Sequence, residues 1–199
     1  AQKYNTNHHK ILMKKDDYIK GWKKLIADKD SPLGVPNEIP LAAMSTKLKE
    51  KITVVLSGEG ADELMGGYGR IFRSPLDYAN QNKYKSFYNF FISEYEYVPR
   101  FMRDQLLLSS PKYRYEFDAK LKNDFSDPSM EKSIFHFFHR YHVQGLLQRV
   151  DITTMQTSVE ARVPFLDHEL IEYVYAKVPL DLKLKWNSKI AKNKALLLP

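Results

Sequence analysis

Cysteine is absent from all 199 residues. Disulfides, thiolate-bound zinc and a cysteine nucleophile are therefore excluded within them. No apolar run approaches the ~18–20 residues of a membrane span, and no signal peptide opens the chain. A cytoplasmic location is the default. Acid is in short supply, with 24 Asp+Glu against 31 Lys+Arg and a formal charge of +7. A surface of that sign favours polyanions such as nucleic acid, anionic membranes and nucleotide phosphates. No RNA-binding signature and no zinc-finger spacing accompanies the charge, which leaves nucleic acid the weaker partner class. The opening AQKYNTNHHK has neither a helix cap nor leader character and reads as an internal start.

What is present suffices for a core. Hydrophobic residues make up 43% and aromatics 13%, with 13 Tyr and 11 Phe. A chain of this length and composition forms one compact domain or a large piece of one. His9–Met13 is a short apolar run with strand character, and Asp16–Ala27 follows with Tyr18, Trp22, Leu25 and Ile26 at helix spacing. The segment DSPLGVPNEIP is loop chemistry, and a second helix is expected near Leu41–Lys49. Ile52–Leu56 is rich in β-branched residues and apolar on both faces, the pattern of a buried parallel strand. Beyond Tyr68 three stripes have helix spacing, around Tyr84–Tyr95, Ile134–Leu146 and Leu170–Val178. Few strands among many helices point to one edge of an α/β sheet beside a large helical portion.

The sharpest feature follows the Ile52–Leu56 strand: Ser57-Gly-Glu-Gly-Ala-Asp-Glu-Leu-Met-Gly-Gly-Tyr68. Ligands of open α/β sheets gather at the carboxyl ends of strands. Gly58 and Gly60 permit backbone angles and approaches that a Cβ would block. Such a turn offers N–H groups and the Ser57 hydroxyl to an anion. Glu59, Asp62 and Glu63 stand beside it, an arrangement suited to a bridging magnesium ion. The plainer alternative is a tight turn whose acids favour the following helix start.

This string resembles the signature S-G-[ED]-G-x-D-E-x-x-G-G-Y of the asparagine synthetases, within the ATP pyrophosphatase superfamily. Asp151-Ile-Thr-Thr-Met155 and Ser158-Val-Glu-Ala-Arg-Val-Pro-Phe-Leu-Asp167 are similar to that family's D-x-x-x-M…S-x-E-x-R-x-P-F-L-D block, and the opening N-T-N-H-H fits as well. The resemblance covers essentially the whole chain. It implies a partial adenine-nucleotide-α-hydrolase-like, Rossmann-like fold, with residues 1–70 as the sheet-edge part and 71–199 mainly helical. It further implies ATP-dependent amidation of a small-molecule carboxylate through an acyl-adenylate, with ammonia supplied by a glutaminase domain of the same parent chain. On the family pattern Ser57, Gly58 and Gly60 bind the nucleotide, Glu59 is the catalytic base toward ammonia, and Asp62 binds Mg2+. Lys194, in Lys194-Ala-Leu-Leu, resembles the lysine of K-x-L-L-R that contacts pyrophosphate. Leu198 stands at the arginine position, Lys192 is a rival, and a solvated terminal lysine is the alternative reading.

Departures from the family are informative. Its S-G-G-x-D-S loop and the nucleophilic cysteine of the glutaminase domain belong upstream of Ala1, so the chain by itself is expected to be inactive. Ile152 and Met65 are substitutions within the family range. Glu160–Asp167 also admits a structural reading, an internal ion pair beside a proline-fixed turn with Phe165 and Leu166 as core. His136, His139 and His142 spread around a helix, which favours mixed packing and exposure over a metal site. Related β-lactam-forming enzymes generally carry Tyr in place of the Glu59-type acid, so Glu59 argues for amidation. The rival from another class is a catalytically inactive synthetase-like module kept for protein contacts. The acceptor and the oligomeric state, a homodimer included, stay open.

Overall fold

The computed structural model describes residues 2–106 and 111–184. The chain divides into two compact units, the first made of residues 1–57 and 145–164 and the second of 58–144 and 165–199. The described residues are mostly helical, with one short parallel sheet, an α/β composition.

In the first unit α1 (Lys15–Lys29) packs on α2 (Glu38–Leu48), burying Leu25 and Ile39. The proline-rich loop between them is fixed by Glu38, which is 2% exposed. Its carboxylate accepts from the Gly34 and Val35 N–H groups at 2.7 and 3.2 Å and pairs with Lys29. Strand β1 (Val54–Leu56) pairs in parallel with β2 (Glu160–Arg162), Val54 opposite Glu160 and Leu56 opposite Arg162. The last helix before β2, α10 (Val143–Met155), buries Val150, Thr153 and Thr154. The two threonine hydroxyls donate back to the helix's own carbonyls, so Asp151–Met155 needs no outside partner for them.

Three sequence expectations are corrected here. His9–Met13 is not a strand: residues 6–14 are irregular, Ile11 and Leu12 are exposed, and the described sheet holds just β1 and β2. An apolar run without a neighbouring edge has nowhere to place its N–H and C=O groups as a ladder. Of the expected strand Ile52–Leu56 only Val54–Leu56 forms one, and Val54 is 40% and Leu56 71% exposed, because a two-stranded sheet leaves its faces open within the described residues. In the Glu160–Asp167 block the Glu160–Arg162 ion pair forms at 2.8 Å, but on the surface, and Phe165 is exposed rather than core. Asp167 instead caps α11 (His168–Lys177), its Oδ1 accepting from the Glu169 and Leu170 N–H groups.

The second unit holds the aromatic core. Helices α3 (Ala61–Met65), α4 (Gly69–Phe72), α5 (Ser74–Ala79), α6 (Phe87–Tyr95), α7 (Arg100–Leu106), α8 (Pro111–Asp124) and α9 (Met130–Phe137) precede a π-helical turn, Phe138–His142. After β2 come α11 and α12 (Leu180–Lys183). Phe72, Phe91, Phe135 and Phe138 are essentially inaccessible. Phe72 meets Phe135 with ring centroids 4.5 Å apart, and Phe91 meets Phe137 edge-on at 5.0 Å. Each such ring contributes about 1.5–3 kcal/mol by burial, so this cluster holds the short helices that surround it. The helix-spaced stripes are thus confirmed in α6, α9 and α11, although only Val174 of the α11 stripe is fully buried.

Candidate functional site

The motif after β1 folds as a strand–turn–helix. Ser57 closes the first unit, its N–H donating to the Arg162 carbonyl at 2.8 Å and so extending the parallel ladder. Gly58–Tyr68 belongs to the second unit. Gly60 sits at φ +93° before α3, and a Cβ there would meet Leu166 at 2.4 Å. A left-handed angle and that contact together require glycine. Helix α3 ends when the Gly66 and Gly67 N–H groups both donate to the Asp62 carbonyl at 2.9 Å. At Gly67 a Cβ would lie 1.9 Å from Asp62 Oδ1, so this second glycine gives the Asp62 carboxylate its room. Gly58 differs: nothing lies within 4 Å of where its Cβ would be. Gly58 is exposed, and its carbonyl accepts from the Ala61 N–H at 3.3 Å.

The acids of the motif have unlike surroundings. Asp62 is exposed, Glu59 is half-buried, and Glu63 is 1% exposed. The Tyr68 hydroxyl donates to Glu63 Oε1. Burial pushes the Tyr68 phenol far above its ordinary value, and so do the Glu63 hydrogen bond and the negative fields of Glu63, Asp62 and Glu59. All three motif carboxylates thus act on one phenol. Such a concentration of negative charge suits a cation or a group that gains positive charge.

The same carboxylate is approached from the π-helical turn. His142 Nε2 lies 3.7 Å from Glu63 Oε1, and His142 Nδ1 is 2.7 Å from the Tyr95 hydroxyl. Burial above all, then the fields of Tyr97 and Glu63, hold the Tyr95 phenol up at about 12. Tyr68 stacks on Phe138 with centroids 5.0 Å apart, and His142 stands edge-on to Tyr68. Tyr68, Arg70, Tyr95, Glu96, Phe138 and His142 line a cavity of about 710 Å3. Sequence reading missed this network. The π turn that brings His142 round has no sequence signature, and only the excess of aromatics around it hinted at a built site.

Of the other residues singled out, Lys192 and Lys194 lie outside the described residues. His8 and His9 are exposed in irregular chain, His136 is exposed, and His139 packs its ring against Tyr175. His136 and His139 line one cavity, whereas His142 faces Glu63 and Tyr95. Among the described residues no group of three or more His, Asp and Glu is arranged to hold a metal ion. A magnesium ion usually binds through one or two carboxylates plus substrate phosphates and waters, and the exposed Asp62 carboxylate fits that limited share. The open space at Gly58 likewise fits a ligand laid against backbone. No helix among the described residues is long and apolar enough to cross a membrane.

A family model described as asparagine synthase matches residues 1–197. The chain is 31% identical over 202 residues to asparagine synthetase [glutamine-hydrolyzing] 1 of Bacillus subtilis, an alignment covering 85% of this chain and 32% of that protein. It is 25% identical over 203 residues to asparagine synthetase [glutamine-hydrolyzing] 3 of the same organism, covering 94% of this chain and 30% of the relative. The chain therefore spans about a third of the length of these relatives. No solved structure matches.

Proposed function

The chain belongs to the asparagine synthase family, and from that membership we propose that it is the synthetase portion of an ATP- and glutamine-dependent amidotransferase. The substrate carboxylate attacks the α-phosphate of ATP, which gives an acyl-adenylate and pyrophosphate. Ammonia from a glutaminase domain of the same parent chain then attacks the acyl carbon and AMP leaves. Aspartate, or the carboxylate of a related small molecule or sugar precursor, is the acceptor.

One observation supports this reading beyond family membership. Three carboxylates of one short motif bear on a single phenol, beside a turn whose Gly58 faces open space. Glu59, half-buried, takes the proton that the attacking ammonia must lose, a task a poised carboxylate performs. Asp62, exposed and accommodated by Gly67, holds Mg2+. When bound, the ion supplies positive charge against the phosphates during adenylation. Gly58 and Gly60 shape the turn against which the nucleotide lies, together with Ser57 by the family pattern. Lys194 contacts the departing pyrophosphate on the same pattern.

The test is Glu59→Gln in the parent protein, with pyrophosphate exchange and amide formation measured side by side. Exchange should persist, while amide formation should fall by about 10²- to 10⁴-fold, the usual contribution of a general base. Amide formation at near wild-type rate would remove Glu59 from the role of base. Loss of exchange and amide together would make it a binding residue.

A further inference from the structure

A second cavity of the aromatic unit, about 750 Å3 in volume, has a cationic floor. Lys183, on α12, is 6% exposed, and its ammonium lies 4.3 Å from the Phe135 ring centre and 5.2 Å from that of Tyr175. Among the described residues no carboxylate pairs with it. His139 lies close enough for the Lys183 charge to act on it, and its Nε2 is buried without a hydrogen-bond partner. Native interiors rarely leave a buried cation and a buried ring nitrogen both unanswered. Two aromatic faces attract an ammonium, but they offer it no lone pair and offer His139 Nε2 no hydrogen bond.

The rest of the lining defines what would answer them. Lys132, His136 and Lys177 add basic groups, against Asp127 as the one acid. Ile171, Val178 and Leu180 supply apolar wall. Burial lowers the Lys183 ammonium below its ordinary value, and burial with the fields of Lys183 and His136 lowers His139. A ligand bringing one negative charge into the cavity would offset the cost to Lys183.

We propose that this cavity is a binding site for a small organic carboxylate with an apolar or aromatic body. The carboxylate lies against Lys183 Nζ, and the body lies against Ile171, Val178 and Leu180. The apolar and aromatic walls, Phe135 and Tyr175 among them, suit an anion with an organic body better than bare phosphate. The site is argued from the cavity alone, and its test does not use amide formation.

The experiment titrates the full chain with phenylacetate, using phenethylamine as the matched cation and inorganic phosphate as the bodiless anion. Phenylacetate should bind saturably, phenethylamine should not bind, and phosphate should bind more weakly than phenylacetate. Lys183→Met should weaken phenylacetate by about tenfold or more, the scale of one charge-assisted hydrogen bond. On the unmodified chain, methyl chemical-shift mapping should place phenylacetate beside Ile171, Val178 and Leu180, which keeps the test decisive if the variant fails to fold. Equal binding of phenethylamine, phosphate as tight as phenylacetate, an unchanged Lys183→Met affinity, no saturable binding, or shifts confined to other methyls would each overturn the assignment.

Discussion

His142 Nε2 stands 3.7 Å from Oε1 of Glu63, a carboxylate that is 1% exposed and that also accepts from Tyr68. Glu63 follows Asp62 directly on α3, so the anchored residue and the proposed metal ligand share one short helix. The conformation of the motif therefore depends on contacts that Glu63 makes with Tyr68 and His142.

Tyr68→Phe should cost about 1.5–3 kcal/mol, the usual worth of a hydrogen bond to a charged group, because it strips a donor from a buried carboxylate. Denaturant unfolding of the variant measures this. An unchanged midpoint would mean that His142 or water replaces the phenol.

The motif glycines should separate. Gly60→Ala is expected to lose about 1–3 kcal/mol, from a left-handed angle and a contact with Leu166. Gly58→Ala should stay within about 0.5 kcal/mol, since open space surrounds it. If the nucleotide lies there, Gly58→Ala should weaken ATP binding while leaving thermal stability alone. Calorimetry and thermal melts on the same samples read both quantities.

The Lys29–Glu38 pair sets an acid limit on the first unit. Burial alone would raise the Glu38 carboxyl, yet Lys29 and the Val35 and Gly34 N–H groups outweigh it and hold the group below its ordinary 4.5. A depressed folded value means that the stabilisation is complete above the unfolded value and is lost as pH falls through the folded one. Glu38→Gln should therefore cost about 3–5 kcal/mol near neutrality by stranding Lys29, with the gap to the unmodified chain closing in acid. Thermal midpoints across the acid range check the sign. A gap that widened in acid would contradict the assignment.

If Asp62 holds Mg2+ as proposed, Asp62→Asn in the parent protein should depress pyrophosphate exchange and amide formation alike, with partial recovery at high magnesium. A defect confined to amide formation, or one indifferent to magnesium, would remove Asp62 from metal binding.

The legible parts of this protein were those where side-chain pattern and backbone geometry coincide. Phe87, Tyr88 and Phe91 announce α6 through their spacing, and Gly60 with Gly66 brackets α3. Strand β2 was hidden because Glu160-Ala-Arg162 is three residues long and has no β-branched residue; it is a strand through its pairing with β1. His9–Met13 had the composition of a strand without a partner. Glu59 and Asp62 were recognisable as chemistry from the motif, whereas the roles of Glu63, Tyr95 and His142 depend on contacts between elements far apart in the chain.

The parallel pair β1–β2 joins Val54 to Glu160 across the entire first stretch of the second unit. During synthesis β1 must wait for its partner while that intervening stretch is made, on the order of 5–20 s at ~5–20 residues per second. Through that interval the main-chain groups of Val54–Leu56 that will bond to β2 are free to engage other chains, with the apolar side chains of the strand beside them. A ribosome stalled before Arg162 would release a protein whose aromatic helices can pack but whose strand edge stays open. The order of the elements along the chain thus makes the cell's handling of nascent chains part of what determines the yield of this protein.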